Sequence, residues 1–153
     1  MHTDLEVKEF LESAREATLE LARYKHRLRE LEEDCLRVTA RMEKARAATR
    51  TGAGDGAAAA LCDAREELLS AIAGRQKQMR KVEAFIDRVP GPDLCRIVLR
   101  LRYLEFRRWT DAQRCLEQIG VYYSERQLLR RHAEAMEQAE ALWQREKETK
   151  SCP

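Results

Sequence analysis

The chain has 153 residues, enough for one compact domain or for a small domain carried on an extended helical element. Charged residues make up 37% of it and aromatic residues 6%, which excludes a large aromatic core and leads us to expect long helices with narrow apolar seams. A net charge of +2 by itself points to no polyanionic partner, but its distribution is uneven: residues 96–132 carry +5, against −1 for 1–56, 0 for 57–95 and −2 for 133–153.

The opening segment, "MHTDLEVKEFLESAREA", is charged from the start and has no apolar run of the signal-peptide kind. No window approaches the apolar length of a membrane span, so a cytoplasmic protein without membrane contact is expected. Cys35, Cys62, Cys95, Cys115 and Cys152 are widely spaced and never form a C-x-x-C pair. That spacing indicates neither a disulfide framework nor a zinc site, and buried free thiols are expected.

From Val7 through Phe10, Ala14, Ala17, Leu21, Tyr24, Leu28, Leu31, Cys35, Val38 and Met42 to Ala45, apolar residues recur at alternating intervals of three and four. Such a seam predicts a long α-helix that packs lengthwise against another helix. It ends at "TRTGAGDGAAAA", whose glycines make a turn over 51–56. Beyond it Leu61, Leu68, Ile72, Met79, Val82, Ile86 and Val89 form a second stripe, interrupted by Arg65 and Arg75 at two seam positions. The expectation is an all-α fold in which residues 1–89 form an antiparallel helical hairpin. At roughly 1.5 Å per residue the first helix is about 65 to 70 Å long and the second about 50 Å. The overhang must be covered either by the C-terminal region or by a second copy in a homodimer, and the pattern leaves both open.

Pro90-Gly91-Pro92 stops the second helix and opens a small domain over 90–150. Asp93 can cap the next helix, whose Leu94, Ile97, Val98, Leu101 and Leu104 recur at helical spacing. A short helix from Thr110 to about Leu116 turns Ala112 and Leu116 inward, with Trp109 at the junction. After a turn centred on Gly120, Ser124 and Gln127 form a capping box for a final helix, with Leu128, Ala135, Met136 and Leu142 facing the core. Three helices, the last two joined by a glycine-containing turn, outline a helix-turn-helix. In that geometry the start of the final helix faces a DNA major groove, which puts Glu125, Arg126, Gln127 and Arg130 at base edges. Arginine can donate a bidentate pair to guanine and glutamine can pair with adenine. Ser124, at the helix N-terminus, can hold a phosphate. Arg107, Arg108 and Arg114 precede the turn and can grip the backbone without specifying sequence. The expected partner is double-stranded DNA.

The stretches "RIVLRLRYLEFRRW" and "YSERQLLRRHAEAM" resemble the C-terminal region of small phage-encoded regulators of the ArpU and RinA type. The helix-turn-helix of that family is similar to region four of bacterial sigma factors. The likeness rests on Arg102-Tyr103, Trp109, Tyr123-Ser124, Arg126-Gln127, His132 and Ala135-Met136, and extends to a charged N-terminal hairpin with a Gly-rich loop. The resemblance implies control of phage or prophage transcription in a bacterial host by binding promoter DNA, with RNA polymerase as a further partner. Two positions depart from the family pattern: the turn between Leu116 and Tyr123 is longer, and Arg131 stands where relatives carry an aliphatic residue. Either the final helix is rotated slightly, or Arg131 lays its stem on the core and keeps its head in water, where it can meet the DNA backbone.

No phosphate-binding glycine loop, metal-ligand cluster or nucleophile motif appears, and His132 and His26 have no catalytic constellation around them. An enzyme, a cofactor and a small-molecule substrate are therefore not expected. The competing expectation is an interaction protein, whose hairpin docks RNA polymerase or a phage assembly or packaging factor without sequence-specific DNA binding.

Overall fold

The computed structural model describes residues 2–48 and 55–152, and every regular element among them is helical. Helix α1 is His2–Ala48 and α2 is Asp55–Arg88. Helix α3, Asp93–Leu99, runs on into a π-helical turn, Arg100–Leu104; α4 is Trp109–Gln118 and α5 is Glu125–Ser151. The fold is the expected all-α one, a long helical hairpin followed by a small helical domain. Of the turn expected over 51–56, residues 51–54 lie outside the described residues, and α2 already begins at Asp55.

Packing divides the chain into two units, one formed by residues up to 17 together with those from 78 onward, the other by 18–77. In the 18–77 unit α1 and α2 bury Leu21, Leu68 and Ile72, while Tyr24, Leu28, Leu31, Cys35, Val38 and Met42 along the α1 seam are half-buried. The two arginines that interrupt the second stripe reach across to acids on α1. Arg75 Nε lies 2.5 Å from Glu20 Oε2, and Arg65 Nε lies 3.9 Å from Glu32 Oε1. Because the α2 partner falls in number as the α1 partner rises, these pairs also record the antiparallel direction. As exposed ion pairs they contribute at most about 1 kcal/mol each.

The other unit holds the main core. Val7, Leu11 and Ala14 of α1 meet Val82, Phe85, Ile86 and Val89 of α2, Cys95 and Leu99 of α3, Tyr103, and Ala135 and Ala139 of α5. Alanines on α5 let its backbone come close to the larger side chains opposite. Phe10, Phe85 and Trp143 form an aromatic triad with ring centroids 5.0 to 5.7 Å apart. The Trp143 indole N–H donates to Glu6 Oε2 at 3.2 Å, and Lys147 pairs with the same carboxylate. The C-terminal helix is thus what covers the beginning of α1, the first of the two possibilities that the seam left open.

Three local expectations need correction. Asp93 is the first residue of α3 rather than its cap: Pro92 occupies the cap position, and the Asp93 carboxylate accepts from Arg96 instead. That guanidinium also donates to the carbonyls of Val89 at 2.7 Å and Gly91 at 3.2 Å, bracing the Pro-Gly-Pro corner where Gly91 takes φ +102. Helix α4 begins at Trp109, with Arg108 at its cap, one residue before Thr110. Among the cysteines only Cys95 is buried; Cys35 and Cys115 are half-buried, and Cys62 and Cys152 are exposed.

Candidate nucleic-acid interface

The scaffold of the candidate interface is a second, smaller cluster: Val98, Leu101, Ala112, Leu116 and Leu128, flanked by Leu94, Ile97, Trp109, Cys115, Val121 and Tyr123. It joins α3, the π-helical turn, α4 and the first turn of α5. Between the last two helices the chain makes a double cap. Helix α4 closes with Gly120 at φ +84, the Gly120 N–H donating to Glu117 O at 3.0 Å and the Val121 N–H to Leu116 O at 2.9 Å. This is a Schellman closure, with Val121 and Leu116 in the same apolar cluster, the contact that often accompanies the motif.

Helix α5 opens with the predicted capping box. The Ser124 hydroxyl accepts from the Gln127 N–H at 3.2 Å, and the Gln127 side-chain oxygen accepts from the Ser124 N–H at 2.9 Å. Tyr123 before the cap and Leu128 after the first turn share the smaller cluster, in the positions of a hydrophobic staple. The angle at which α5 leaves the turn is therefore fixed by hydrogen bonds at both caps and by apolar contacts beside them. Residues 119–124 link α4 to α5, longer than a three- or four-residue turn, and they are held along most of their length.

All nine residues singled out in the sequence are exposed: Arg107, Arg108, Arg114, Ser124, Glu125, Arg126, Gln127, Arg130 and Arg131. Five of the arginines, Arg107, Arg108, Arg114, Arg126 and Arg130, take part in no ion pair among the described residues. The other arginines of the basic stretch are engaged. Arg96 is held at the corner, and Arg100 donates to Asp87 at 2.8 Å and to Glu83 at 3.2 Å. Arg131 meets Glu134 at 2.8 Å, with its guanidinium 5.6 Å from the centre of the Tyr123 ring. Its charge is locally balanced, and the head lies beside the turn.

Gln127 is in a similar position. Its side-chain oxygen is turned back onto the cap, so the amide N–H₂ is the part left for an external partner. Arg126 and Arg130, four residues apart, share one face of α5 with Ala133, and this face points away from buried Leu128 and Ala135.

Sequence reasoning did not place Arg102 in the site. Its guanidinium stacks 4.8 Å over the Trp109 ring and donates to the carbonyl of Arg107 at 3.3 Å, bracing the segment that carries Arg107 and Arg108. In that segment Phe106 adopts φ 56, a left-handed conformation that costs a residue with a Cβ about 1 kcal/mol or more. An Arg-aromatic pair seven residues apart that spans a helix break leaves no periodic signal.

Behind this segment, His132 Nε2 lies 3.0 Å from the Tyr103 hydroxyl, which is also 3.7 Å from Met136 Sδ. The imidazole meets the Trp109 ring edge to face at 5.1 Å. Burial first, then the nearby charges of Arg102 and Lys8, push His132 down to about 4, so it is neutral and serves as packing. Burial pushes the Tyr103 phenol up to about 12. Among the described residues no group of His, Cys, Asp or Glu side chains is arranged to hold a metal ion, and no helix is long and apolar enough to cross a membrane.

Neither a family model, nor a curated protein, nor a solved structure matches this chain.

Proposed function

We propose that this chain is a phage or prophage transcriptional regulator that reads promoter DNA with the helix starting at Ser124. The observation that carries the reading is the set of five exposed arginines that make no ion pair among the described residues, two on the outward face of α5 and three on the preceding segment and α4. Elsewhere in the same stretch, arginines within reach of an acid are paired with it. An uncompensated cluster of guanidinium groups on a rigid two-helix frame suits a polyanion, and its split matches the division between base reading and backbone gripping. Arg126 and Arg130 are the base-reading pair, with Glu125 and the Gln127 amide beside them; Arg107, Arg108 and Arg114 hold phosphates. Ser124 and Arg131, each partly committed inside the protein, border the site. The resemblance to the ArpU and RinA regulators supports promoters as the target and RNA polymerase as a further partner.

The test is a selection of bound fragments from a phage and host genomic library, followed by binding measurements over a salt series. The reading expects one enriched sequence class, bound with an affinity that falls by about 0.9 log unit per log unit of salt for each phosphate neutralised. Recovery of no fragment at low salt would rule it out.

A second reading, docking of a partner protein on the 18–77 hairpin unit, is favoured by Leu36. This large apolar residue of α1 is 72% exposed. Purified polymerase that binds the full chain, in the absence of any DNA affinity, would select this reading.

A further inference from the structure

The outward face of α5 carries a side chain that neither core uses. Leu128 is fully buried in the smaller cluster, but its neighbour Leu129 is 43% exposed and belongs to neither cluster. Single surface leucines are common and usually need no explanation. This one occupies a particular place: Arg126, Leu129, Arg130 and Ala133 fall at helical intervals of three, four and seven, so they form one continuous strip. Leu129 sits between Arg126 and Arg130, neither of which makes an ion pair among the described residues, on the first two turns of the helix that the double cap holds in place.

We propose that Leu129 is a specificity-determining residue that contacts the 5-methyl group of a thymine, next to a guanine read by Arg126 or Arg130. The inference rests on the DNA-reading function proposed above and adds a base to it. In the major groove each base pair presents a distinct pattern, and the thymine methyl is the one apolar feature among donors and acceptors. An apolar side chain beside an arginine is complementary to a thymine methyl beside the N7 and O6 acceptors of a neighbouring guanine. Ala133, one turn further on, is small enough to leave room for the base edge beside Leu129. Arginine alone would read the guanine but would leave the neighbouring pyrimidine undetermined, since cytosine and thymine differ at that edge by an amino group, a carbonyl and the methyl.

The experiment uses the full chain and a duplex enriched from a random library, resynthesised with deoxyuridine in place of one thymidine at a time. Deoxyuridine keeps every hydrogen-bonding group and removes only the methyl. The wild-type protein is expected to lose about fourfold in affinity at one thymine position, the factor that corresponds to burial of a single methyl-sized group. Leu129→Ala is expected to bind the thymidine duplex several-fold more weakly and to show no further loss on the deoxyuridine duplex at that position. Leu129→Met, which keeps an apolar side chain of similar volume, should restore the methyl sensitivity. Thermal unfolding followed by circular dichroism checks that each variant is folded; alanine at an exposed helical site is not expected to disturb it. If the wild type binds the duplex but no thymine is sensitive to loss of its methyl, or if Leu129→Ala keeps the wild-type sensitivity, this assignment is overturned while the DNA-reading function stands. If no duplex is enriched at all, the DNA-reading function fails and the assignment fails with it.

Discussion

His132 shows how a residue that looks chemically active is put to structural use. A histidine among arginines, a tyrosine and a tryptophan has the makings of a proton-transfer site, but its imidazole packs against Tyr103 and Trp109, with no acidic partner among the described residues. Because its pKa is lowered to about 4 in the folded chain and is near 6.5 when unfolded, only the unfolded state takes up this proton between those values. Its contribution therefore makes stability fall as the pH drops from about 6.5 toward about 4. The thermal midpoint is expected to be lower at about pH 5 than at about pH 7, and the difference should shrink in His132→Gln, which keeps a polar group near the Tyr103 hydroxyl without titrating in this range. A wild type and a variant with the same pH response would contradict the assignment. Arg126 and Arg130 lie at the opposite extreme, with no ion pair among the described residues, so their charge is left for an external partner.

At the scale of elements, the segment between α4 and α5 decides whether the basic face is held in one orientation. A Cβ added to Gly120, at φ +84, would meet open space, so Gly120→Ala isolates the backbone cost; about 1 kcal/mol of stability should be lost. Ser124→Ala removes one half of the capping box and should cost a further ~1 kcal/mol. Urea unfolding measures both, and losses near zero would mean that the turn is not holding α5. This segment was legible in the sequence because a glycine, a serine and a glutamine at fixed offsets encode local hydrogen bonds. The π-helical turn at Arg100–Leu104 was not: one extra residue in a turn of helix shifts the apolar phase by an amount that the positions of Leu101 and Leu104 do not reveal. Its signature lies in the hydrogen bond from the Glu105 N–H to Arg100 O, five residues back, and in the π-turn's handover to the left-handed Phe106.

For the molecule as a whole, the seam of α1 announced a partner helix, but nothing local announced that α5 would pack beside its first turns. Phe10 and Trp143 are far apart in sequence, and their contact depends on the Pro-Gly-Pro corner and two further helices lying between them. The domain outline read from the sequence places a boundary at residue 90, whereas compact packing joins residues up to 17 with those from 78 onward. Phe85 stands at the centre of that unit, 1% exposed and in contact with both other rings of the triad. Phe85→Ala is expected to cost about 3 to 5 kcal/mol, read by chemical denaturation. Deleting residues 1–17 should prevent folding of the same unit, because it removes Val7, Leu11 and Ala14 from the core. Joining Ala17 to Gln78 through a short glycine linker should leave the unit folded, since the Gln78 amide already reaches the Ser13 hydroxyl at 2.9 Å. A folded product of the first deletion, or an unfolded product of the second, would show that the two units are drawn wrongly.

The most direct test of the DNA-reading proposal is a comparison of Arg126→Ala, Arg130→Ala and Arg107→Ala on an enriched duplex and on unrelated duplexes at matched salt. The first two should lose about 1 to 3 kcal/mol on the enriched duplex and little on the others, so that preference relaxes; Arg107→Ala should weaken binding to all of them alike. Equal losses on every duplex for all three variants would contradict the proposal that this face reads sequence.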